Sequence, residues 1–572
     1  MVHNIQAIIG CLNERGIINS VNIEENGIFT KHQLGEYTVE IRAVLPGDFP
    51  CSLPTFNLVD RLKYGSLAHV AWGDNGYADI CYGKESFSAD IHNPEIVFLA
   101  SLEKVIEILD KSLNDQSYNH NELIREFAGV WRFHINNDKN VICLVEPTNN
   151  ITELTIRSSV NKDKTPINTK NYAIAVNLGG CNHNHFLVKN SRSNKRINKG
   201  KGVLIPISSL IPPPAPDESI KSWWEKQLSV LSDTFQHILA EYSRHCKAKE
   251  LFIVCHATVD TDTVWFGIHC SNTQKENLPL ASHTIKGWAL DAIKIDVVSK
   301  DVLIPRGGGE IELNQRNVCL VGCGSLGGYI SDMLASSGIG KLTLIDPDIY
   351  KIENIHRHKL EPTYLFYYKN KGLKCELEYK YPFLKINTSC KKLLDISDVE
   401  FWNDFDIIII AIGSPTHERK FNEFVREYGI KPPVIYTWNE PFGIGGHAIA
   451  TFSDKRGCLA CAYINNESDE PDLYPNINFI QRNQSIMSSI GGCGTEFIAY
   501  SGIDSMQTSA IAAKLAIKCM QEDIKHGVSI SWKGEPNMAK KESITLTHRY
   551  WHFNSNLKYI PLQRDACVVC YE

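Results

Sequence analysis

Val318-Cys319-Leu320-Val321-Gly322-Cys323-Gly324-Ser325-Leu326-Gly327 decides how the second half of this chain folds. The four apolar residues read as a strand. The glycine turn follows, and Tyr329 to Ser337 then reads as a helix. A second apolar run, Leu342-Thr343-Leu344-Ile345, ends on Asp346-Pro347-Asp348. Strand, glycine turn, helix, strand, acid is the context in which a GxGxxG turn holds a nucleotide. Glycines at 322, 324 and 327 permit a tight turn and let backbone N–H groups approach phosphate at a helix N-terminus. The Asp346 carboxylate can accept hydrogen bonds from ribose. The turn alone does not separate NAD from ATP. Asn354-Ile355-His356-Arg357 tilts the choice, because an arginine beside such a pocket suits polyphosphate.

The rest of the chain bounds what surrounds this unit. It has 572 residues, too many for one core, so about three domains are expected. Hydrophobic residues make up 43% and charged residues 22%, as in ordinary globular protein, and the net charge of −6 offers no global field for nucleic acid. The basic stretch Lys189, Arg192, Lys195, Arg196, Lys199, Lys201 is local and reads as a solvated loop. No apolar run is long enough for a membrane helix, and Met1-Val2-His3-Asn4-Ile5 lacks a signal-peptide pattern. The 18 cysteines scatter through apolar strands (Cys143, Cys255, Cys319), where a buried reduced thiol is the default; a cytoplasmic enzyme is expected.

The fold class expected is α/β multidomain. Residues 1–135 form an α+β unit. A short apolar helix pattern (Ile5, Ile8, Ile9, Leu12) precedes alternating strands such as Tyr37 to Val44. Asn93-Pro94-Glu95 then starts a helix, with Asn as N-cap and Pro at the first helical position. Residues 136–300 form an α/β middle domain, with one amphipathic helix from Trp223 to His245 and strands at Leu251 to Val254 and Val264 to Ile268. Residues 301–572 carry the glycine turn.

Three cysteine settings carry chemistry. Cys458-Leu459-Ala460-Cys461 and Cys567-Val568-Val569-Cys570 supply four thiolates, the ligand set of a closed structural zinc site; a redox pair plus incidental cysteines is the alternative. Cys493 lies in Gly491-Gly492-Cys493-Gly494, a flexible setting that suits a nucleophile and that a buried structural thiol does not need. Cys81, in Asp79-Ile80-Cys81-Tyr82-Gly83, follows His69 across Trp72-Gly73-Asp74-Asn75-Gly76.

From Gly322 onward the chain resembles the ThiF/MoeB and ubiquitin-activating adenylation family, over roughly residues 301–572. The resemblance implies a Rossmann-like domain that uses ATP and Mg2+ to turn a C-terminal carboxylate into an acyl-adenylate. Gly322, Gly324, Gly327, Asp346, Asp348, Asn354, Arg357 and Lys374 would hold the nucleotide, Cys493 would take the acyl group as thioester, and Zn2+ would sit on the paired CxxC motifs. Ser414 stands where that family has an Asp that helps hold Mg2+, which leaves the protein ligand of the metal open. Residues 1–130 resemble a ubiquitin-conjugating domain, with Cys81 as thioester carrier and His69 beside it. His69-Val70-Ala71 replaces the His-Pro-Asn step of that family, and Asn75 is the substitute asparagine.

A conjugating-like domain, a linker domain and an activating-like domain in one chain resemble the conjugation enzymes of type II CBASS anti-phage operons. That resemblance implies a homodimer that joins the C-terminus of a cGAS-like nucleotidyltransferase to a target lysine or other amine, without nucleic acid or membrane partners. A ubiquitin-like protein from another bacterial operon is the alternative donor. A sulfur-carrier adenylyltransferase and a non-catalytic scaffold are the alternative functions.

Overall fold

A computed structural model of the chain describes residues 2–22, 27–71, 76–83, 90–136, 139–158, 172–176, 185–192, 200–489, 496–554 and 557–570. They group into two compact units, one of residues 1–180 and 194–297, the other of residues 181–193 and 298–572. None of the described helices is long and apolar enough to cross a membrane.

The first unit opens with the expected helix, Val2–Glu14, and continues as an antiparallel five-stranded meander, Ile18–Asn22, Gly27–Leu34, Tyr37–Val44, Thr55–Val59 and Tyr77–Asp79 in sequence order. Alternation along Tyr37–Val44 buries Val39, Ile41 and Ala43. They pack with Phe56, Leu58 and the buried face of the helix Pro94–Asn114, namely Phe98, Leu102, Val105 and Leu109. Asn93 does precede that helix, but its side chain makes no cap and its amide donates instead to Asp90 at 2.7 Å.

The region after residue 139 closes seven strands into a barrel: Lys247–Val259, Asp262–Asn277, Ala289–Val297, Asn140–Leu144, Tyr172–Val176, Thr152–Ser158 and Gly200–Ile207, back to the first. The helix expected over Trp223 to His245 is two helices, Ile220–Ser229 and Asp233–His245. The break follows from Ser232, whose hydroxyl accepts from the Phe235 N–H and starts the second helix. Phe127 and Trp131 join Trp223 and Phe266 in an aromatic cluster with ring centroids 4.8–5.7 Å apart, so the helix Phe127–Trp131 belongs to the barrel's core.

The second unit is built on an eight-stranded sheet in the order Lys385–Ser389, Lys341–Ile345, Asn317–Val321, Ile407–Ile410, Val434–Asn439, Gly445–Thr451, Val528–Lys533, Ile560–Pro561. The first five are parallel and the last three antiparallel. Strand order reverses between Asn317–Val321 and Ile407–Ile410, so a crevice is expected at their carboxyl ends. The helices Ser325–Ser336 and Gly502–Met520 bury Leu326, Ile330, Leu334, Ile511, Leu515 and Ala516 in the same core. From the basic stretch, Lys189 stands 5.9 Å over the Tyr379 ring, while residues 193–199 lie outside the described residues.

His69 pins the turn ahead of Cys81. Its backbone is left-handed, with φ 61°, and its carbonyl accepts from the Cys81 N–H at 2.7 Å. Glu126 takes the ring Nδ1 at 2.6 Å and accepts from the His69 N–H at 2.8 Å. The Glu126 hydrogen bond raises the imidazole above its ordinary value of 6.5, against the opposing effect of burial. A value raised by folding gives stability that is complete below about pH 6.5 and fades as pH rises through the folded value. Glu126→Gln keeps an acceptor for the backbone but loses the charge. It should cost about 1–2 kcal/mol near pH 5.5 and little near pH 9, read by urea unfolding. An equal cost at both pH values would remove the ion pair from the account. In the second unit, a Cβ on Gly327 would lie 1.8 Å from the Gly322 carbonyl oxygen. Gly327→Ala should therefore lower stability by about 1–3 kcal/mol or more, measured the same way, because backbone rather than a side-chain tip must move.

Candidate functional site

The crevice forms where three carboxyl-terminal strand ends converge. The Gly322 N–H donates to the Ile345 carbonyl at 2.8 Å, and the Ala411 N–H donates to Val321 at 2.8 Å. Gly322 has φ 92°, and a Cβ there would meet the Ala411 carbonyl oxygen at 2.5 Å. Only glycine allows this approach. Asp346 closes the turn from the neighbouring strand. One carboxylate oxygen accepts from the Cys323 N–H at 2.6 Å and the other from the Asp348 N–H at 2.7 Å. Asp346 is buried, and burial pushes its carboxyl above the usual range. Its first task is thus to hold the turn. Asp348 is the exposed carboxylate of the pair.

His358 ties the Asn354–Arg357 step to the same turn. Its Nε2 lies 2.7 Å from the Cys323 carbonyl, and its Nδ1 accepts from the Leu360 N–H at 3.1 Å, which assigns the ring proton to Nε2. Burial lowers this imidazole to about 4, so it is neutral near pH 7. Asn354 accepts from the Lys351 N–H at 3.2 Å. The Arg357 guanidinium stands 5.4 Å over the Tyr500 ring and has no carboxylate in ion-pair range among the described residues. Tyr500 Oη in turn lies 2.9 Å from Ser325 Oγ, in the first turn of the helix behind the glycines.

The structure does not bring Lys374 to this crevice. Its amine donates to Glu378 at 3.0 Å and to the Ile386 carbonyl, at the start of a parallel strand whose far end faces the glycine turn. Lys369 takes the expected place. It opens the helix Lys369–Lys380; its N–H donates to the Asp348 carbonyl and its amine to the Asp348 carboxylate, both at 3.0 Å. Its side chain is only 11% exposed, yet it reaches the one acid of the site that faces solvent. Sequence reading missed Lys369, His358 and Tyr500. The buried pair Leu373 and Leu377 is the signal that could have oriented the helix and shown Lys374 on a different side from its start. His358 and Tyr500 carry no such signal. At the next strand end, Ser414 Oγ bonds His417 at 2.7 Å, and the Ser414 N–H donates to buried Glu418 at 3.2 Å.

The four paired cysteines meet. Cys458, Cys461, Cys567 and Cys570 are all buried, with their sulfurs within 4.8 Å of one another; Cys458–Cys567 is 3.8 Å and Cys461–Cys570 is 3.4 Å. These separations are far beyond an S–S bond of about 2.05 Å. They suit a tetrahedral metal held at about 2.3 Å from each sulfur. The donor set and its burial fit zinc.

In the first unit Cys81 is exposed, and residues 77, 79 and 81 alternate with buried Ala78, Ile80 and Tyr82. The bond between His69 and Cys81 runs through the His69 carbonyl. The His69 ring is engaged by Glu126 and, at 3.5 Å, by Glu122. Asn57, directly across the ladder, donates to the Asp79 carboxylate. Asn75 and Cys493 lie outside the described residues. The strands flanking the latter, Met487–Ser489 and Glu496–Ile498, pair antiparallel.

With this geometry in hand, comparison with known proteins falls into two parts. Residues 303–547 match the ThiF family, and residues 24–139 match prokaryotic E2 family B. Among curated proteins, the ATP-dependent ubiquitin transferase-like protein Cap2 of Escherichia coli is 25% identical over 242 residues, covering 41% of this chain and 40% of that protein. The protein of the same name from Pseudomonas aeruginosa is 30% identical over 159 residues, covering 27% and 28%. The chain thus aligns with about two fifths or less of the length of these relatives. A solved structure of E. coli MccB with ATP is 17% identical, with a TM-score of 0.32, over 48% of this chain and 71% of that one. The chain therefore carries a region similar to prokaryotic E2 family B followed by a region similar to the ThiF family, and it is similar over part of its length to the Cap2 ubiquitin transferase-like proteins.

Proposed function

We propose that this protein is an ATP-dependent conjugating enzyme that adenylates a protein C-terminus, carries it as a thioester on Cys493 and then Cys81, and joins it to a target amine. The observation that carries the reading is the pairing of Lys369 with Asp348 beside the glycine turn, with Arg357 unopposed by any described carboxylate at the same crevice. A carboxylate is unreactive toward amines. Attack of its oxygen on the α-phosphorus of ATP forms a C–O–P anhydride and expels pyrophosphate. Arg357 and Lys369 supply charge-assisted contacts for that polyphosphate, and Asp348, exposed and paired with Lys369, is the acceptor for ribose. ATP would bring Mg2+. The Cys493 thiolate then displaces AMP. The Cys81 thiolate displaces Cys493, and an amine displaces Cys81, each step exchanging one acyl bond for another. Cys81, exposed in the family B region, gives the last carrier access to an amine. The three-part division into residues 1–135, 136–300 and 301–572 assigns carrier, linker and activation to successive regions.

Zinc held by Cys458, Cys461, Cys567 and Cys570 would crosslink two distant segments and take no part in acyl transfer. The donor favoured by the Cap2 likeness is the C-terminus of a cGAS-like nucleotidyltransferase in CBASS anti-phage defence, with the enzyme acting as a cytoplasmic homodimer.

Pyrophosphate exchange tests the first step. Arg357→Ala and Lys369→Ala should each reduce it at least tenfold, about 1.5 kcal/mol or more, with folding intact, while Lys374→Ala should affect it far less. Undiminished exchange in both of the first two variants would sink the assignment of these residues, and no exchange in the wild-type protein would leave a scaffold. Cys81→Ser should trap the donor as an oxyester that survives reductant, and mass spectrometry of the trapped species identifies it. Conjugation at the wild-type rate in Cys81→Ala would instead make the first domain a binding module. Metal analysis should give about one zinc per chain, lost with a marked fall in thermal stability in Cys567→Ser; metal-free protein of full stability would exclude the zinc site.

A further inference from the structure

A cavity of about 110 Å³ opens beside the short edge strand Ile560–Pro561 of the eight-stranded sheet. Arg549, Arg564, Asn466, Asn476 and Ser529 are its polar lining, and no carboxylate is among the residues that line it. Arg549 is held between two aromatic rings, 4.9 Å from the centroid of Phe479 and 4.9 Å from that of Phe553. Its guanidinium has five N–H donors. It uses them on the Ile477 carbonyl and, at 3.2 Å, on Ser531 Oγ. No described carboxylate comes within ion-pair range of it. The nearest buried acid, Glu440, is taken by His447 at 2.9 Å and by the Phe479 N–H at 2.7 Å. Burial accordingly pulls the Arg549 guanidinium down to about 10. Arg564 is exposed and donates to Asn466 Oδ1 at 2.7 Å. Asp565 pairs with Arg456, and Asp472 with Arg482.

A guanidinium held largely out of water without an anion is costly, and a small anion that reaches it is bound strongly for the same reason. Two guanidinium groups and the Ser529 hydroxyl around one small space can donate to the oxygens of a single oxyanion, whereas the Asn476 and Asn466 amides give their N–H groups to backbone carbonyls. The volume is too small for a nucleotide, whose pockets run from about 300 Å³ upward. We propose that this cavity is an oxyanion site, taking one phosphate or carboxylate group between Arg549 and Arg564. It uses none of the residues of the glycine-turn crevice, so it stands whether or not the nucleotide assignment does.

The test is calorimetric titration of the full chain with inorganic phosphate and, separately, with acetate. Wild-type protein should bind at least one of them saturably, and Arg564→Gln should weaken that binding about tenfold or more. Heat common to both proteins belongs to other positions. A difference with phosphate alone identifies a phosphoryl ligand, and a difference with acetate identifies a carboxylate. Asn466→Asp places a carboxylate against the arginine pair. It should raise the melting temperature by about 2–4 °C in anion-free buffer and abolish any further rise on adding phosphate. Pyrophosphate exchange should be unchanged in Arg564→Gln. Identical titrations of wild type and Arg564→Gln with both anions, or an Asn466→Asp variant that phosphate still stabilises as it does wild type, would overturn the proposal.

Discussion

The Asp346 carboxylate, bonded at once to the Cys323 and Asp348 N–H groups, is the contact on which the second unit's crevice depends. It links the end of one strand to the turn that leaves the next. The turn must then lie so close to a third strand end that Gly322 has no room for a Cβ, and the helix leaves so close to the turn that Gly327 has none against the Gly322 carbonyl. His358 locks the following loop to the carbonyl of the same turn. Arg357 is delivered by that loop, and Lys369 by the helix whose first N–H bonds Asp348. Cationic groups are thereby fixed to backbone rather than left to flexible stems, which is the condition for preorganised electrostatics.

In the first unit an exposed thiol, that of Cys81, stands just past the last strand of the sheet. Strand alternation turns Cys81 outward, and the left-handed turn at His69 fixes the chain just before it. Glu126 and Glu122 occupy the His69 ring, and the contact of His69 with Cys81 runs through its carbonyl. The Asn57–Asp79 pair is the polar group that the sheet places nearest in register to Cys81.

What could be read from sequence was local. The glycine turn announces itself because strand, turn and helix are contiguous and each has its own pattern. The CxxC pairs could be joined because a soft-metal ligand set is recognisable even across a long gap. Lys369 and Lys374 show where this stops. They sit on one helix five positions apart, about 140° around its axis, so the first residue of the helix decides which of them faces the crevice. That residue is fixed by the bond from the Lys369 N–H to Asp348, a tertiary contact with no local signature. The break between Ser229 and Asp233 was within reach, since Ser232-Asp233 is an N-terminal cap, but the continuous apolar stripe on both sides masked it. Closure of the seven strands into a barrel rests on pairings such as Leu251 with Lys201, which no short-range pattern encodes.

The cysteine cluster sets an order on how the protein comes into being. Cys458 and Cys461 emerge from the ribosome long before Cys567 and Cys570, and the edge strand Ile560–Pro561 is also made late. The parallel core and the glycine turn can assemble during synthesis, whereas the four-sulfur site cannot. Any product of interrupted translation therefore carries the turn with only two of the four sulfurs made.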